Sequence, residues 1–211
     1  MQISWLGLSA FEMTTKNASG EVVLVTDPYD GQTGLRLPRT LEAQMTLVSH
    51  DEPDANNVSA ITGSPHIIDI PGEFEIRGVF VFGIGATLKR GILNIIYRIE
   101  TEGMHLAHLG ALDRELTDEE LKRLSNIDIL MVPVGGAGVL SPSSAAEVIA
   151  QVEPRVVIPM THHLPSLKTR YETVDAFCKQ MGVCRKEDMN KYKVTRKDLP
   201  EEDMLIVNLT H

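Results

Sequence analysis

The densest chemistry in this chain lies in one short stretch, Ser49-His50-Asp51-Glu52-Pro53-Asp54-Ala55-Asn56-Asn57, directly after the apolar run Met45 to Val48. It places one imidazole and three carboxylates within the five residues His50 to Asp54, a density of hard and borderline donors suited to a divalent metal. In an extended loop, residues i and i+2 face the same side, so His50 and Glu52 can grip one ion while Asp54 reaches a neighbouring position. His108, at the end of a second apolar run, completes a set of two imidazoles and one carboxylate. Such a set leaves the fourth tetrahedral position to water, as in a catalytic zinc site. The bland reading of the same residues is a turn, with Asn56-Asn57 closing it and Glu52 or Asp54 capping a short helix.

Three further polar clusters end apolar runs, where sites tend to form: Thr26-Asp27-Pro28, His108-Leu109-Gly110 and Thr161-His162-His163. Asp27 is expected to line the site. His162 and His163 are adjacent, so one of them faces the site and the other solvent. His105 stands three residues before His108 on a strand and points to the opposite face, as a surface or packing residue. Gly135-Gly136-Ala137-Gly138 has no phosphate-binding pattern around it and reads as a tight turn.

The elements that must position these groups follow from the apolar periodicity. Strands are expected at Gln2 to Leu6, Phe11 to Thr15, Val22 to Thr26, Met45 to Val48, Ile67 to Ile70, Val79 to Ile84, Asn94 to Ile99 and Met104 to Leu109. Turn residues separate them at Asn17 to Gly20, Asp30 to Gly34, Gly63 to Pro65 and Pro71-Gly72-Glu73. Beyond Gly110, Thr117 and Glu120 form a capping box that opens a helix ending near Ser125. Ser143 to Val152 and Leu167 to Met181 are further helices, the last stopped by Gly182. Strands Ile129 to Val134, Val156 to Met160, Tyr192 to Thr195 and Leu205 to Leu209 alternate with them. A strand-rich first half followed by mixed elements predicts two sheets with helices outside, a four-layer αββα sandwich formed by one domain over residues 1–211.

Composition narrows the partners. The chain has 211 residues, 43% hydrophobic and 23% charged, and carries a formal charge of −9 without long single-sign runs. Neither nucleic acid nor an anionic membrane surface is expected as a partner; a small molecule fits better. No apolar stretch reaches the roughly 20 residues that span a bilayer, and Met1 leads straight into a strand, so the cytoplasm is the expected location. There, Cys178 and Cys184 are expected as reduced thiols.

Taken together, Gly7-Leu8-Ser9-Ala10-Phe11, Thr26-Asp27-Pro28-Tyr29, Val48 through Asn57, Pro71-Gly72-Glu73-Phe74-Glu75, His108-Leu109-Gly110, Val132-Pro133-Val134-Gly135-Gly136, Ile158-Pro159-Met160 and Leu199-Pro200 resemble the metallo-β-lactamase superfamily. The likeness runs nearly end to end and is to a bacterial branch of Zn-dependent hydrolases related to ascorbate-phosphate lactonases. It implies the αββα sandwich, a metal-dependent hydrolase ancestry, and assembly into homo-oligomers.

The resemblance also shows what has changed. Its central signature, His-x-His-x-Asp-His, reads here His50-Asp51-Glu52-Pro53-Asp54-Ala55, and the aspartate after His-Leu-Gly is Ala111. Leu8 stands where relatives carry a histidine, Thr161 replaces the histidine after Pro-Met, and the His-Asp loop near Gly85 to Gly91 is absent. The implied first-metal set survives as His50, Glu52 and His108, while the second metal keeps only Asp54, so two-metal chemistry is not expected. Two readings follow. One is a degenerate, non-catalytic member serving as a binding or assembly module without a cofactor. The other is a hydrolase with one zinc-like divalent metal, in which Asp54 positions or deprotonates water against a small ester, lactone or phosphoester.

Overall fold

The computed structural model describes residues 1–18, 20–182 and 185–211; Ser19, within the expected turn at Asn17 to Gly20, and Cys184 lie outside them. The first half of the chain forms β1 (Gln2–Gly7), β2 (Ala10–Asn17), β3 (Gly20–Thr26), β4 (Met45–Leu47), β5 (His66–Ile68), β6 (Gly72–Ile76), β7 (Val79–Thr87), β8 (Leu93–Thr101) and β9 (Met104–His108). The second half adds α1 (Asp118–Arg123), β10 (Ile129–Pro133), α2 (Pro142–Val152), β11 (Val156–Met160), α3 (Val174–Met181), β12 (Arg185–Met189), β13 (Tyr192–Lys193) and β14 (Leu205–Leu209).

The strands build two mixed sheets, in the orders β13-β1-β2-β3-β4-β5 and β12-β14-β11-β10-β9-β8-β7-β6. Ile3, Phe11, Met13, Leu24 and Leu47 of the first pack against Val81, Ile99, Leu106, Met131 and Ile158 of the second in one core. The parallel strands β10 and β11 are buried at every position, because their outer face is covered as well. There Leu124, Val148, Ile149 and Phe177 from the helical side meet Leu130, Val132, Val157 and Ile206. The outer face of the smaller sheet is covered differently: Val25 packs under Leu41, Ala43 and Ile61 of the irregular segment between β3 and β5. The α-helices among the described residues thus lie on the larger sheet, and loop supplies the fourth layer.

Local chemistry sets the helix starts. Thr117 accepts from the Glu120 amide while the Glu120 carboxylate accepts from the Thr117 amide, the reciprocal cap expected; Arg114 adds two bonds to that carboxylate. α3 begins only at Val174, capped by Thr173. The stretch from Leu167 to Tyr171 has helical spacing but is drawn out over the site. Pro71-Gly72-Glu73 is not merely a turn, since Gly72 opens edge strand β6, in register with Gly83 of β7. Cys178 is disulfide-bonded rather than reduced; the expectation rested on compartment alone.

Gly135 is required by packing. A Cβ there would lie 2.1 Å from the Thr161 carbonyl oxygen and 2.8 Å from Tyr171 Cβ, whereas at Gly136, with φ +63°, the nearest neighbour would be Glu172 Oε1 at 3.3 Å. Gly135→Ala is therefore expected to lower the urea midpoint by the equivalent of about 3 kcal/mol and Gly136→Ala by about 1 kcal/mol. Equal costs would show that conformation rather than contact sets the requirement.

Candidate metal centre

The ends of β3, β4 and β9 meet at one edge of the sandwich, and Asp27 ties them together. It is fully buried, takes a left-handed φ of +41°, and donates its amide to the Leu47 carbonyl at 2.8 Å. Its carboxylate accepts the Ser49 amide and the Ser49 hydroxyl, each at 2.7 Å. Ser49 Oγ also lies 2.8 Å from His50 Nδ1. Because the hydroxyl proton is given to Asp27, Oγ must accept from Nδ1–H. That fixes the His50 tautomer and directs Nε2 outward, the usual role of a group bonded behind a ligating imidazole.

In front of His50 the loop curls instead of extending: the Glu52 carbonyl accepts the Ala55 amide at 2.9 Å and the Asn56 amide at 3.0 Å. The curl brings Asp54 Oδ1 to 3.2 Å and Glu52 Oε2 to 3.8 Å from His50 Nε2. His50, Glu52 and Asp54 offer ligand atoms that all lie within 4.8 Å of one another. Asp54 therefore joins the cluster rather than a neighbouring position, and neither acid caps the short 3-10 turn at Val58–Ala60, which has no side-chain cap.

His108 stands apart from this cluster. It is wholly buried, its Nε2–H donates to the Ser9 carbonyl at 2.8 Å, and its Nδ1 accepts from the Gly110 amide at 3.3 Å. Both nitrogens are engaged, and burial, outweighing the nearby Asp27 carboxylate, holds its pKa below the ordinary value. Thr161, with φ +51° and its amide on the Leu8 carbonyl, reverses the chain after β11. His163 is consequently exposed, and His162 stacks on Trp5 with ring centroids 4.5 Å apart, in a separate pocket. Asp27 lies beneath the cluster as its support.

A residue without a signal in the motif reading lies across the cluster. Arg90, at the turn joining β7 to β8, makes an ion pair with Glu52 Oε2. It shares a cavity of about 300 Å³ with Gln32, Thr169, Tyr171, Ala137 and Leu8. The available hint was charge: Lys89-Arg90-Gly91 is a basic hairpin tip, and the acidic loop is its natural counterpart.

The electrostatics follow. Burial alone would lower the pKa of His50, but its bond to Asp54 and the carboxylates of Asp27 and Glu52 hold it above the ordinary value. Asp54 moves down: burial opposes its ionisation, and the His50 bond and Arg90 more than compensate. Tyr171, buried beside Asp54, is pushed up to about 12 and stays a neutral hydroxyl.

The donor set accommodates one divalent ion through His50 Nε2 and the two carboxylates, with bound water supplying hydrolytic chemistry at such a centre. Leu8, Ala55 and Ala111 are buried apolar groups at the positions where the resemblance places polar ligands, and His108 is spent on Ser9.

A two-sheet sandwich with a ligand cluster at one loop edge is the architecture of the metallo-β-lactamase fold. Residues 2–161 match the β-lactamase superfamily domain, and the chain belongs to that family. It is 27% identical to a UPF0173 metal-dependent hydrolase of Pyrobaculum islandicum over 204 aligned positions, covering 77% of this chain and 84% of the relative. A Thermococcus onnurineus protein of the same name is 26% identical, with 77% and 85% covered. A Thermotoga maritima structure of the metallo-β-lactamase superfamily superposes with a TM-score of 0.82 at 29% identity, covering 99% of both chains. Igni18, a metallo hydrolase of Ignicoccus hospitalis, shares the fold at a TM-score of 0.63 and 15% identity, covering 92% of this chain and 99% of its own. The curated relatives are largely archaeal, where a bacterial branch was expected.

His162 gives the centre's surroundings a pH signature. Burial lowers its pKa from 6.5 to about 4, so the unfolded chain takes up its proton before the folded chain does. Its contribution to stability is complete above pH 6.5 and is lost as pH falls from 6.5 towards 4, by about 3 kcal/mol in all. His108 has the same sign. His50, raised, has the opposite one: its contribution is present below pH 6.5 and is lost as pH rises through its folded value. Urea midpoints should fall between pH 6.5 and about 5, less steeply in His162→Leu; equal slopes in both proteins would remove His162 from the account.

Proposed function

We propose that this chain is a non-catalytic member of the metal-dependent hydrolase family, a binding module in which the two-metal centre has been replaced by an internal ion-pair network. The observation that carries this reading is the Arg90–Glu52 pair beside the His50–Asp54 pair. Carboxylates that a metal ion would neutralise already meet cations of the protein. The apolar Leu8, Ala55 and Ala111 leave no polar groups for a second ion or a metal-bridging water.

A second reading, hydrolysis with one metal, is supported by the outward Nε2 of His50 and the convergent Glu52 and Asp54. Its ligands are then His50, Glu52 and Asp54, in place of the set with His108. Its substrate is a small ester, lactone or phosphoester by analogy with the family alone.

Zinc binding and turnover separate the two. Protein purified without chelator should carry less than about a tenth of an equivalent of transition metal and show no hydrolysis of nitrophenyl esters, lactones or phosphoesters above buffer. In calorimetric titration, Arg90→Gln should bind zinc about tenfold more tightly than the wild type, because a competing cation has been removed. Stoichiometric metal together with turnover that Glu52→Ala abolishes would replace this reading with the one-metal hydrolase. Equal zinc affinity in wild type and Arg90→Gln would sink the idea that Arg90 stands in for the ion.

A further inference from the structure

Away from the His50 cluster, a pocket of about 350 Å³ lies beside Trp5 of β1, the turn after β11 and the end of β14. Trp5, Leu164, Pro165 and Leu209 give it an apolar body, and His162, Asn208, Ser166, Thr210 and His211 are its polar residues, the His211 ring edge-on to Trp5. No Asp, Glu, Lys or Arg lines it among the described residues. This volume and make-up, mostly apolar with a few fixed polar groups, match a small-molecule site.

Two of these polar residues are unsatisfied in the same sense. His162 is 4% exposed, and its Nδ1 faces the His163 carbonyl at 3.4 Å. A neutral imidazole carries one N–H, and placing it on Nδ1 makes Nε2 a bare acceptor. That atom is buried with no hydrogen-bond partner among the described residues, and so is Asn208 Oδ1. A buried polar atom without a partner costs about 1–3 kcal/mol, and both atoms belong to residues that line this pocket, so a donor that reaches them there is stabilised. Trp5 cannot supply it, because its indole N–H is committed to the Leu8 carbonyl at 2.8 Å; it contributes only ring surface.

We propose that this pocket binds a small neutral aromatic molecule bearing one O–H or N–H donor, with His162 Nε2 accepting the hydrogen bond and Trp5 and Leu209 holding the ring. The site is independent of whether the His50 cluster takes a metal.

Trp5 is the only tryptophan of the chain, so its fluorescence and its indole N–H resonance report on this wall. Titration with phenol should shift both signals saturably. Anisole, the same ring with its hydroxyl proton replaced by a methyl group, should bind about fivefold more weakly. His162→Leu should bind phenol and anisole alike; should that variant fail to fold, Asn208→Leu, which leaves Nε2 in place, should keep a preference for phenol. No saturable response in the wild type, equal binding of phenol and anisole there, or an undiminished preference in His162→Leu would each overturn the proposal and leave the two acceptors to ordered water.

Discussion

The buried carboxylate of Asp27 is the interaction on which the site edge depends. A charged group with no exposed surface survives only where donors surround it, and here both come from one residue, the Ser49 amide and hydroxyl. The same residue holds the smaller sheet to the larger one, since the Ser49 carbonyl accepts the Ile95 amide of β8 at 2.7 Å. Gly110 follows from this crowding: a Cβ there would lie 2.6 Å from Ser49 Cβ and 2.3 Å from Asn94 Oδ1. Asp27, Ser49, Asn94 and Gly110 therefore form a packed unit serving the fold whether or not a metal is bound. The chemistry in front of it could change without the scaffold changing.

The cluster in front is balanced by charges of the protein itself. Clustered carboxylates repel one another unless a cation is near, and a family that binds metals supplies that cation as an ion. In this chain an imidazole bonded to Asp54 and a guanidinium on Glu52 provide positive charge from within. His108 completes the adjustment. A buried imidazole needs a donor and an acceptor partner, and it finds them in the Gly110 amide and the Ser9 carbonyl.

Features fixed by neighbours in sequence were readable, and those fixed by distant partners were not. β11 and β14 were recognisable to the residue as apolar runs between breakers, and the α1 capping box needs only Thr117 and Glu120. β6 was hidden because an edge strand alternates exposed Glu73 and Glu75 with half-buried residues and opens on Pro-Gly. β12, another edge strand, has the polar sequence Arg-Lys-Glu-Asp-Met. At the site, the pairing of His50 with Glu52 was legible, but Asp54 was placed at a neighbouring position and His108 in the set, because the curl that gathers the three was read as an extended loop. Arg90 reaches them only through the register of the β7–β8 hairpin. The engagement of His108 depends on a carbonyl 99 residues away, which no spacing rule encodes.

The turn after β11 carries the logic one step further. Relatives by resemblance present a histidine directly after Pro-Met; here Thr161 takes that position in a left-handed conformation, unfavourable for a β-branched residue. The conformation persists because the Thr161 amide is bound by the Leu8 carbonyl and its own carbonyl lies against Gly135, so tertiary packing over-determines a backbone that the local sequence disfavours. Beyond this turn, the imidazole of His162 lies in the wall beside Trp5. There it is buried, neutral and short of a donor. The left-handed turn at Thr161 is thus what sets an unpartnered acceptor beside Trp5.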